Sequence, residues 1–189
     1  MFPPRIQEVM NRVDALRHQV DDHWQIPREE AVVLAQLVRL GRCVSICEIG
    51  VSYGYSTLHW AAATKPMGGY VHGFDISEKK VRAATEHLTQ AGLIDCVSLH
   101  LGDARQLVRQ VRPAKPYDLV FLDATKEQTD DYLTAVWPML AARATLITDN
   151  TRTHPAELAA FIGRLRGIPG AMSVEVPVGN GFELTIVER

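Results

Sequence analysis

The amino-acid sequence predicts an α/β protein built around a mostly parallel sheet. From residue 44 onward, short apolar runs typical of strands alternate with segments that repeat apolar residues at helical spacing. Strands separated by single helices favour right-handed parallel crossovers. Two further strand-like runs near the C-terminus are joined by Gly179-Asn180-Gly181, which is typical of a hairpin turn. We therefore expect one antiparallel strand at or near the edge of the sheet.

The predicted helices follow from apolar spacing and from residues that favour helix ends. Pro27 suits the first position of a helix, and Ser77 and Gly92 suit the two ends of another. Pro138 lies inside a helical pattern and should bend or end that helix. The predicted helices span residues 4–22, 28–40, 57–64, 78–91, 104–111, 130–140 and 155–165.

The predicted strands are short, and several of them end at a glycine or a carboxylate. They span residues 44–49, 70–74, 97–101, 119–122, 145–148, 173–178 and 182–187. Because no linker or repeat divides the pattern, we expect one domain over residues 1–189. The helices within residues 1–40 would cover one side of the site, and residues 41–189 would form the core around the sheet.

The composition excludes several classes of function. At 189 residues the chain is long enough for one domain with a buried core. The formal net charge is −2 and no basic tract is present, so we expect neither a nucleic-acid partner nor a membrane partner. Three scattered cysteines favour buried thiols in a reducing compartment over a disulfide framework. Since no run suits a signal peptide or a membrane span, the sequence predicts a cytoplasmic protein.

Polar side chains follow two of the predicted strands. Asp123 and Lys126 come after residues 119–122, and Asp149-Asn150 come after residues 145–148. Ligands of open parallel sheets bind at the carboxyl ends of the strands, where these oxygens would converge if the strands are neighbours. Two carboxylates and an amide suit Mg²⁺ or a similar ion, and a nearby lysine could accept a proton. Lys126 could equally be a solvated surface lysine, and Asp149-Asn150 could be turn residues.

The first predicted strand leads into a turn with two glycines. Gly50 and Gly54 would let a ligand approach the backbone, although an ordinary tight turn explains them as well. Ser52 stands where the dinucleotide fingerprint needs a glycine, which argues against NAD and FAD. Glu48, just before the turn, would repel a phosphate and suits a cationic or amine-bearing ligand.

Carboxylates also follow the second and third predicted strands. Asp75 could accept two hydrogen bonds from the ribose diol of a nucleoside. Ser77 is available to cap the following helix, which leaves Asp75 freer for a ligand. Asp103 could accept a hydrogen bond from the amine of an adenine, or it could cap the next helix; the sequence leaves both open.

Five motifs follow one another along the chain: Glu48-Ile49-Gly50, Asp75, Gly102-Asp103-Ala104, Phe121-Leu122-Asp123 and Asp149-Asn150. In this order they resemble the cation-dependent O-methyltransferases, the catechol and caffeoyl-coenzyme-A type of S-adenosylmethionine enzyme. Residues 48–56 resemble that family's E-x-G-x-x-x-G-Y-S segment, and residues 178–184 its terminal glycine hairpin. The resemblance implies a Rossmann-like class I methyltransferase fold. Its seven-stranded, mostly parallel sheet would have an antiparallel last strand and helices on both faces.

The resemblance also implies a role for each residue at a matching position. The candidate cofactor-binding residues are Glu48, Gly50, Val51, Tyr53, Gly54, Ser56, Asp75, Ile76, Asp103, Ala104 and Asp123. The glycine turn would hold the methionine moiety, Asp75 the ribose, and Ala104 would flank the adenine. The candidate metal ligands are Asp123, Asp149 and Asn150, and the candidate catalytic residues are Lys126, as general base, and Asp123.

The activity that the resemblance implies is methyl transfer from S-adenosylmethionine to a hydroxyl of a small catechol-like acceptor. Mg²⁺ or another divalent cation would hold two vicinal oxygens of the acceptor and lower the pKa of the one that attacks. Lys126 would take the proton. The resemblance further suggests a homodimer.

Two departures from the family pattern bear on the acceptor. The family's D-x-D-K segment appears as Asp123-Ala124-Thr125-Lys126, which lacks one cofactor-side carboxylate. After Asp149-Asn150 the chain soon enters a helix, where many relatives have a longer loop over the substrate. His154 in this segment could occupy the helix N-cap position or face the acceptor. The N-terminal segment is also short. The short loop and the short N-terminal segment together suggest an open acceptor site, which argues against a bulky thioester substrate.

Other functions stay open from the sequence. A metal-independent S-adenosylmethionine methyltransferase would act on another small-molecule acceptor. A non-catalytic S-adenosylmethionine-binding module would leave Asp123, Lys126 and Asp149 free to vary, and their joint presence counts against it. A NAD-dependent dehydrogenase is disfavoured by the spacing of the glycines and by Glu48.

Overall fold

A seven-stranded sheet forms the middle layer of the structure, which is a computed structural model describing residues 2–188. The strands are β1 (Ser45–Ile49), β2 (Tyr70–Asp75), β3 (Val97–Leu101), β4 (Tyr117–Leu122), β5 (Leu140–Asp149), β6 (Ala171–Val176) and β7 (Phe182–Glu188). Their order is β3-β2-β1-β4-β5-β7-β6. Strands β1 to β5 pair in parallel, and β7 runs antiparallel to both β5 and β6. The expected mostly parallel sheet, with one antiparallel strand near its edge, is confirmed.

The direction in which the sheet grows reverses beside β1. From β1 the chain builds outward through β2 and β3, and it then returns to place β4 on the other side of β1. In open parallel sheets such a reversal opens a crevice at the carboxyl ends of the strands. The residues that follow β1 and β4 therefore meet at this crevice.

Helices cover both faces of the sheet. They are α1 (Pro4–Ala15), α2 (Arg28–Gly41), α3 (Tyr55–Thr64), α4 (Glu78–Ala91), α5 (Ala104–Leu107), α6 (Thr129–Val136) and α7 (Pro155–Arg166). Side chains of β1 alternate between the faces, so that Ile46 joins the core of α1 to α4 and Cys47 the core of α5 to α7. Because both faces are covered, all five residues of β1 are buried.

Three helices are shorter than the sequence predicts. Helix α1 ends at Ala15 and passes into a 3₁₀ turn at Leu16–His18, whereas the apolar spacing continued to residue 20. Helix α5 is only about one turn long. Helix α6 ends at Val136, because Pro138 lies in the 3₁₀ turn that follows and cannot continue the helix.

Strand β5 begins earlier than predicted. Its first residue, Leu140, pairs with Tyr117 of β4, and Arg143 pairs with Glu188 of β7. The segment Ala141-Ala142-Arg143-Ala144 is poor in the branched and aromatic residues that favour strands. The extension therefore depends on the neighbouring strands more than on local preference.

The connection between β6 and β7 is longer than the three residues, 179–181, that the sequence predicts. Strand β6 ends at Val176, so that residues 177–181 form a loop, called here the hairpin loop. Two backbone hydrogen bonds hold it to the turn after β5: Thr151 N–H donates to Gly181 O (2.9 Å) and Arg152 N–H donates to Asn180 O (3.0 Å). The hairpin loop therefore lies beside the end of β5.

The N-terminal helices lie on one side of the sheet. Helix α2 packs against α3, and α1 packs against α3 and α4. The three cysteines are free and buried, as the sequence predicts. Among residues 2–188, no helix has the combination of length and apolar character that crossing a bilayer requires.

Candidate functional site

Two carboxylates lie side by side where β4 and β5 end. Leu122 of β4 pairs with Thr148 of β5, so Asp123 and Asp149 occupy neighbouring positions at the same edge of the sheet. The N–H of Asp123 donates to Ile49 O (2.9 Å), which ties the end of β4 to the end of β1. The structure thus brings the two predicted carboxylates together beside the glycine turn.

Lys126 belongs to this group and is not a solvated surface lysine. It begins a 3₁₀ turn after β4, and its Nζ donates to Asp123 Oδ1 at 2.8 Å. Its side chain is 11% exposed. The ammonium group therefore lies in the crevice and neutralises part of the charge of the carboxylates.

Burial raises the pKa of both aspartates. For Asp123 the pKa rises to about 7, since burial and the nearby Asp149 outweigh the effect of Lys126. For Asp149 the pKa lies well above its usual range, because of burial and of the neighbouring Glu30. Burial also raises the pKa of Glu30. Carboxylates in such surroundings gain stability in their charged form when a cation is close.

Asn150 is a turn residue as well as a candidate ligand. Its backbone is left-handed (φ 73°), a conformation that Asn tolerates better than most residues. Its Nδ2 donates to Thr153 Oγ1 (3.0 Å), which leaves the amide oxygen for another partner. His154 occupies the N-cap position of α7, and its ring Nδ1 lies 3.1 Å from Thr153 Oγ1.

Glu30 is the member of this group that sequence reasoning missed. It lies in the first turn of α2, is 0% exposed, and interacts with the Asp149 carboxyl group. An acidic residue in the first turn of a helix is ordinary, because its negative charge interacts favourably with the positive end of the helix dipole. The usable signal was its spacing: Glu30, Leu34 and Val38 lie four residues apart on the buried face of α2.

The glycine turn is shaped by close packing. Gly50 has φ 97°, and a Cβ there would overlap the carbonyl group of Asp123. Gly54 has φ 84° and precedes α3, where a Cβ would lie 2.9 Å from Ala84 Cβ. Ser52, between them, is also left-handed at φ 49°. Both glycines thus allow neighbouring segments to approach, in addition to any ligand they contact.

Asp75 connects the glycine turn to the end of β2. Its Oδ2 accepts a hydrogen bond from Ser52 N–H (2.7 Å), and its Oδ1 accepts one from Ser77 N–H (2.9 Å). Ser77 also caps α4 through Lys80 N–H, as predicted. The carboxylate is therefore fixed in position, although each of its oxygens can accept a further hydrogen bond.

Glu48 is fully buried, and its carboxylate contacts the first two turns of α3. Its carboxylate accepts hydrogen bonds from the hydroxyls of Ser56 and Thr57 and from Trp60 Nε1, so it holds α3 to the end of β1. Burial raises its pKa to about 8, although these donors lower it. Because the carboxylate is fully buried, Glu48 is not exposed for direct contact with a cationic ligand in this structure.

The remaining candidate cofactor residues differ in exposure. Val51 and Ala104 are buried. Tyr53 is buried against His23, and its hydroxyl donates to Asp22. Ile76 is 77% exposed beside Asp75 and offers an apolar surface.

Asp103 has the helix-capping role that the sequence left open. Its Oδ1 accepts a hydrogen bond from Arg105 N–H at the start of α5, and both carboxylate oxygens accept from the Arg105 guanidinium. These partners lower the pKa of Asp103. A contact with adenine would have to share the carboxylate with Arg105.

The oxygens around Asp149 suit a divalent cation. Within residues 2–188, both oxygens of Asp149 and Oε1 of Glu30 are buried without a hydrogen-bond partner. Buried polar atoms normally have one, so these oxygens fit a cation that prefers oxygen ligands. No three His, Cys, Asp or Glu side chains in the described part of the chain form a ready metal-binding group. The amide of Asn150 would therefore complete the candidate set with Asp123 and Asp149.

Known proteins share this arrangement of elements. A family model described as a methyltransferase domain matches residues 47–151, which is more than half of the chain. The matched segment runs from β1 to the turn after β5 and includes the glycine turn, Asp75, Asp123 and Asp149.

Two curated relatives are catechol O-methyltransferases. The chain is 29% identical over 121 residues to the one from Niastella koreensis, in an alignment that covers 62% of this chain and 53% of the relative. It is 33% identical over 107 residues to the one from Mycobacterium tuberculosis, with 56% and 47% covered. The chain thus spans about half the length of these relatives.

A solved structure matches nearly the whole chain. The O-methyltransferase TomG from Streptomyces achromogenes, in complex with S-adenosylmethionine, superposes with a TM-score of 0.84 at 25% identity. The superposition covers 96% of this chain and 90% of that chain.

Proposed function

The chain belongs to the methyltransferase-domain family, and we propose that it is an S-adenosylmethionine-dependent O-methyltransferase acting on a small catechol-like acceptor. The observation that carries this proposal is the meeting of Asp123, Lys126 and Asp149 in the crevice beside the glycine turn. A catechol carries two adjacent hydroxyl groups, one of which would be methylated while the other helps to orient the ring.

The methyl donor would lie at the ends of β1 and β2. Asp75 is already fixed by two backbone N–H groups, and its free lone pairs can accept hydrogen bonds from the two ribose hydroxyls. Ile76 offers apolar surface to the adenine ring. The backbone around Gly50 and Gly54 would contact the methionine moiety, which has room there because neither residue has a side chain.

The acceptor would lie on the side of β4 and β5. Asp123, Asp149 and Asn150 would hold a divalent cation, whose chemistry when bound is to orient vicinal oxygens and to favour ionisation of a hydroxyl. The unpartnered oxygens of Asp149 within residues 2–188 support this assignment. The hairpin loop and the turn at residues 151–153 border the same region.

Methyl transfer requires the acceptor oxygen, the methyl carbon and the sulfur in one line. The carbon–sulfur bond breaks as the oxygen–carbon bond forms, which yields a methyl ether and S-adenosylhomocysteine. Lys126 is the proposed acceptor of the hydroxyl proton. Since its Nζ now donates to Asp123, Lys126 must leave this ion pair and be neutral when it accepts the proton.

The direct test is release of S-adenosylhomocysteine over a panel of catechols and matched monophenols, with Mg²⁺ and with EDTA. We expect turnover of catechols only, and a loss of at least about 100-fold with EDTA, because cation chemistry supplies several kcal/mol of stabilisation. Asp149→Asn should lose a similar factor. Asp21→Asn, at an exposed position in the N-terminal segment, is the matched control and should keep full activity.

The outcomes separate the alternatives. Turnover that survives EDTA would show a metal-independent methyltransferase. Binding of S-adenosylmethionine with no turnover of any catechol would refute the acceptor and leave the donor site standing. Failure to bind either S-adenosylmethionine or S-adenosylhomocysteine would refute the proposed activity as a whole.

A further inference from the structure

We propose that Glu30 is a positioning residue of the cation site, and that it links Asp149 to the hairpin loop. The inference rests on the proposed function in one respect, which is that Asp149 binds a cation. Glu30 comes from α2, outside the segment that the family model matches.

One oxygen of Glu30 holds the hairpin loop. Its Oε2 accepts a hydrogen bond from Asn180 N–H at 2.9 Å. At Gly179 a Cβ would lie 2.5 Å from the same oxygen and 2.9 Å from Glu30 Cβ. The hairpin loop is therefore built closely around this side chain, and position 179 has no room for a larger residue.

The other oxygen of Glu30 belongs to the group around Asp149. In the described part of the chain, Oε1 of Glu30 and both oxygens of Asp149 are buried and have no hydrogen-bond partner. Asp149 is 1% exposed, so bulk solvent does not reach its carboxyl group. Two buried carboxyl groups in contact are unfavourable unless a proton or a cation lies close to them.

The Glu30 side chain therefore affects both Asp149 and the hairpin loop. Towards Asp149 it adds a negative charge and restricts the orientation of the carboxylate. Towards the hairpin loop it supplies the acceptor that fixes Asn180. A cation attracted to Asp149 should consequently tighten the hairpin loop through Glu30, even though the loop contributes no proposed ligand.

The test compares Glu30→Gln with the wild-type protein in calorimetric titrations with MgCl₂ and MnCl₂. Gln keeps an acceptor for Asn180 N–H but removes the charge, so we expect cation affinity to fall by at least about tenfold. Without added cation the melting temperature should not fall, because Gln relieves the repulsion between the two buried carboxyl groups, and the affinity for S-adenosylhomocysteine should stay unchanged. Glu29→Gln, at the exposed neighbouring position in the same turn, is the matched control and should bind the cations as the wild type does.

Hydrogen exchange of residues 177–181 tests the link to the loop. Mn²⁺ should slow exchange there in the wild type but not in Glu30→Gln. Glu30→Asp, which keeps the charge on a shorter side chain, should retain most of the cation affinity and lose the slowing. Cation affinity in Glu30→Gln equal to that of the wild type would overturn the inference while the proposed function stands. A wild-type protein that binds neither cation would overturn the inference together with the proposed cation chemistry.

Discussion

At the end of β1, Gly50 is required by the closeness of two backbone segments. Its φ is 97°, and a Cβ there would overlap the carbonyl oxygen of Asp123 and lie 2.6 Å from its carbonyl carbon. The absent side chain lets the end of β4 approach the end of β1. Asp123 reaches the crevice because of this approach, so a packing requirement and a functional position coincide.

Replacing Gly50 should therefore destabilise the fold. We expect Gly50→Ala to lose about 3 kcal/mol or more of unfolding free energy, because overpacking and a left-handed backbone add together. Urea denaturation followed by circular dichroism measures it. At Gly163, in α7, an added Cβ would meet no heavy atom of residues 2–188 within 4 Å apart from its chain neighbours and the nearby backbone of its own helix. Gly163→Ala should therefore gain about 0.5–1 kcal/mol. Equal stability of Gly50→Ala and the wild type would contradict the packing account.

Glu48 makes a second prediction at this scale, which concerns pH. Its pKa is about 8 in the fold, compared with an ordinary value of 4.5, so between these values the folded state keeps a proton that the unfolded state loses. Its contribution to the unfolding free energy is therefore largest below pH 4.5 and falls as the pH rises towards 8, by up to about 1.4 kcal/mol per pH unit.

Glu48→Gln should remove this dependence, because the amide cannot lose a proton and the hydroxyls of Ser56 and Thr57 can reorient. The unfolding free energy of the variant minus that of the wild type should therefore be larger at about pH 8 than at about pH 5. Urea denaturation at both pH values gives the difference. Parallel pH profiles for the two proteins would show that Glu48 is ionised in the fold throughout this range.

At the scale of elements, local patterns predicted the order of helices and strands better than their ends. Apolar spacing is a local property, and it sufficed to identify the elements of the sheet and their helices. The end of α6 was signalled by Pro138, because proline acts on its own backbone. The start of β5 was not signalled, since Leu140 and Arg143 become strand residues through their pairing with β4 and β7.

The same distinction applies to the candidate site. The rule that ligands bind at the carboxyl ends of parallel strands was enough to bring Asp123 and Asp149 together. It could not reveal that Glu48 is fully buried against α3 or that Asp103 is held by Arg105, because both depend on side-chain packing. Glu30 was missed for a similar reason: its partners are distant in the chain and meet it only through the packing of α2.

At the scale of the whole molecule, the strand order separates two sets of residues. Apart from Asp123, the residues proposed to bind the methyl donor lie at or just after the ends of β1, β2 and β3, on one side of the reversal. The candidate cation and acceptor residues follow β4 and β5, on the other side, together with the hairpin loop. Gly50 and Asp123 meet where the two sets join.

A binding measurement on the intact protein tests this division. Ligand at about 100 times its dissociation constant stabilises the folded state by about 2.7 kcal/mol. For a chain of this size that corresponds to a rise of roughly 5–11 °C in melting temperature. We expect such a rise with S-adenosylmethionine, and none with NAD at the same concentration, because Ser52 interrupts the dinucleotide spacing. An equal rise with NAD would contradict the assignment of the glycine turn.

The reversal of strand order at β1 also has a consequence for how such a protein can diversify. Residues 151–153 and the parts of the hairpin loop that Glu30 does not hold can change in chemistry with little effect on the segment from β1 to β3. The two regions are joined through the sheet, through the contact at Gly50 and through the hold of Glu30 on the loop. Under the proposed function, a new acceptor preference would thus require changes in two short loops, while the proposed methyl-donor pocket stays the same.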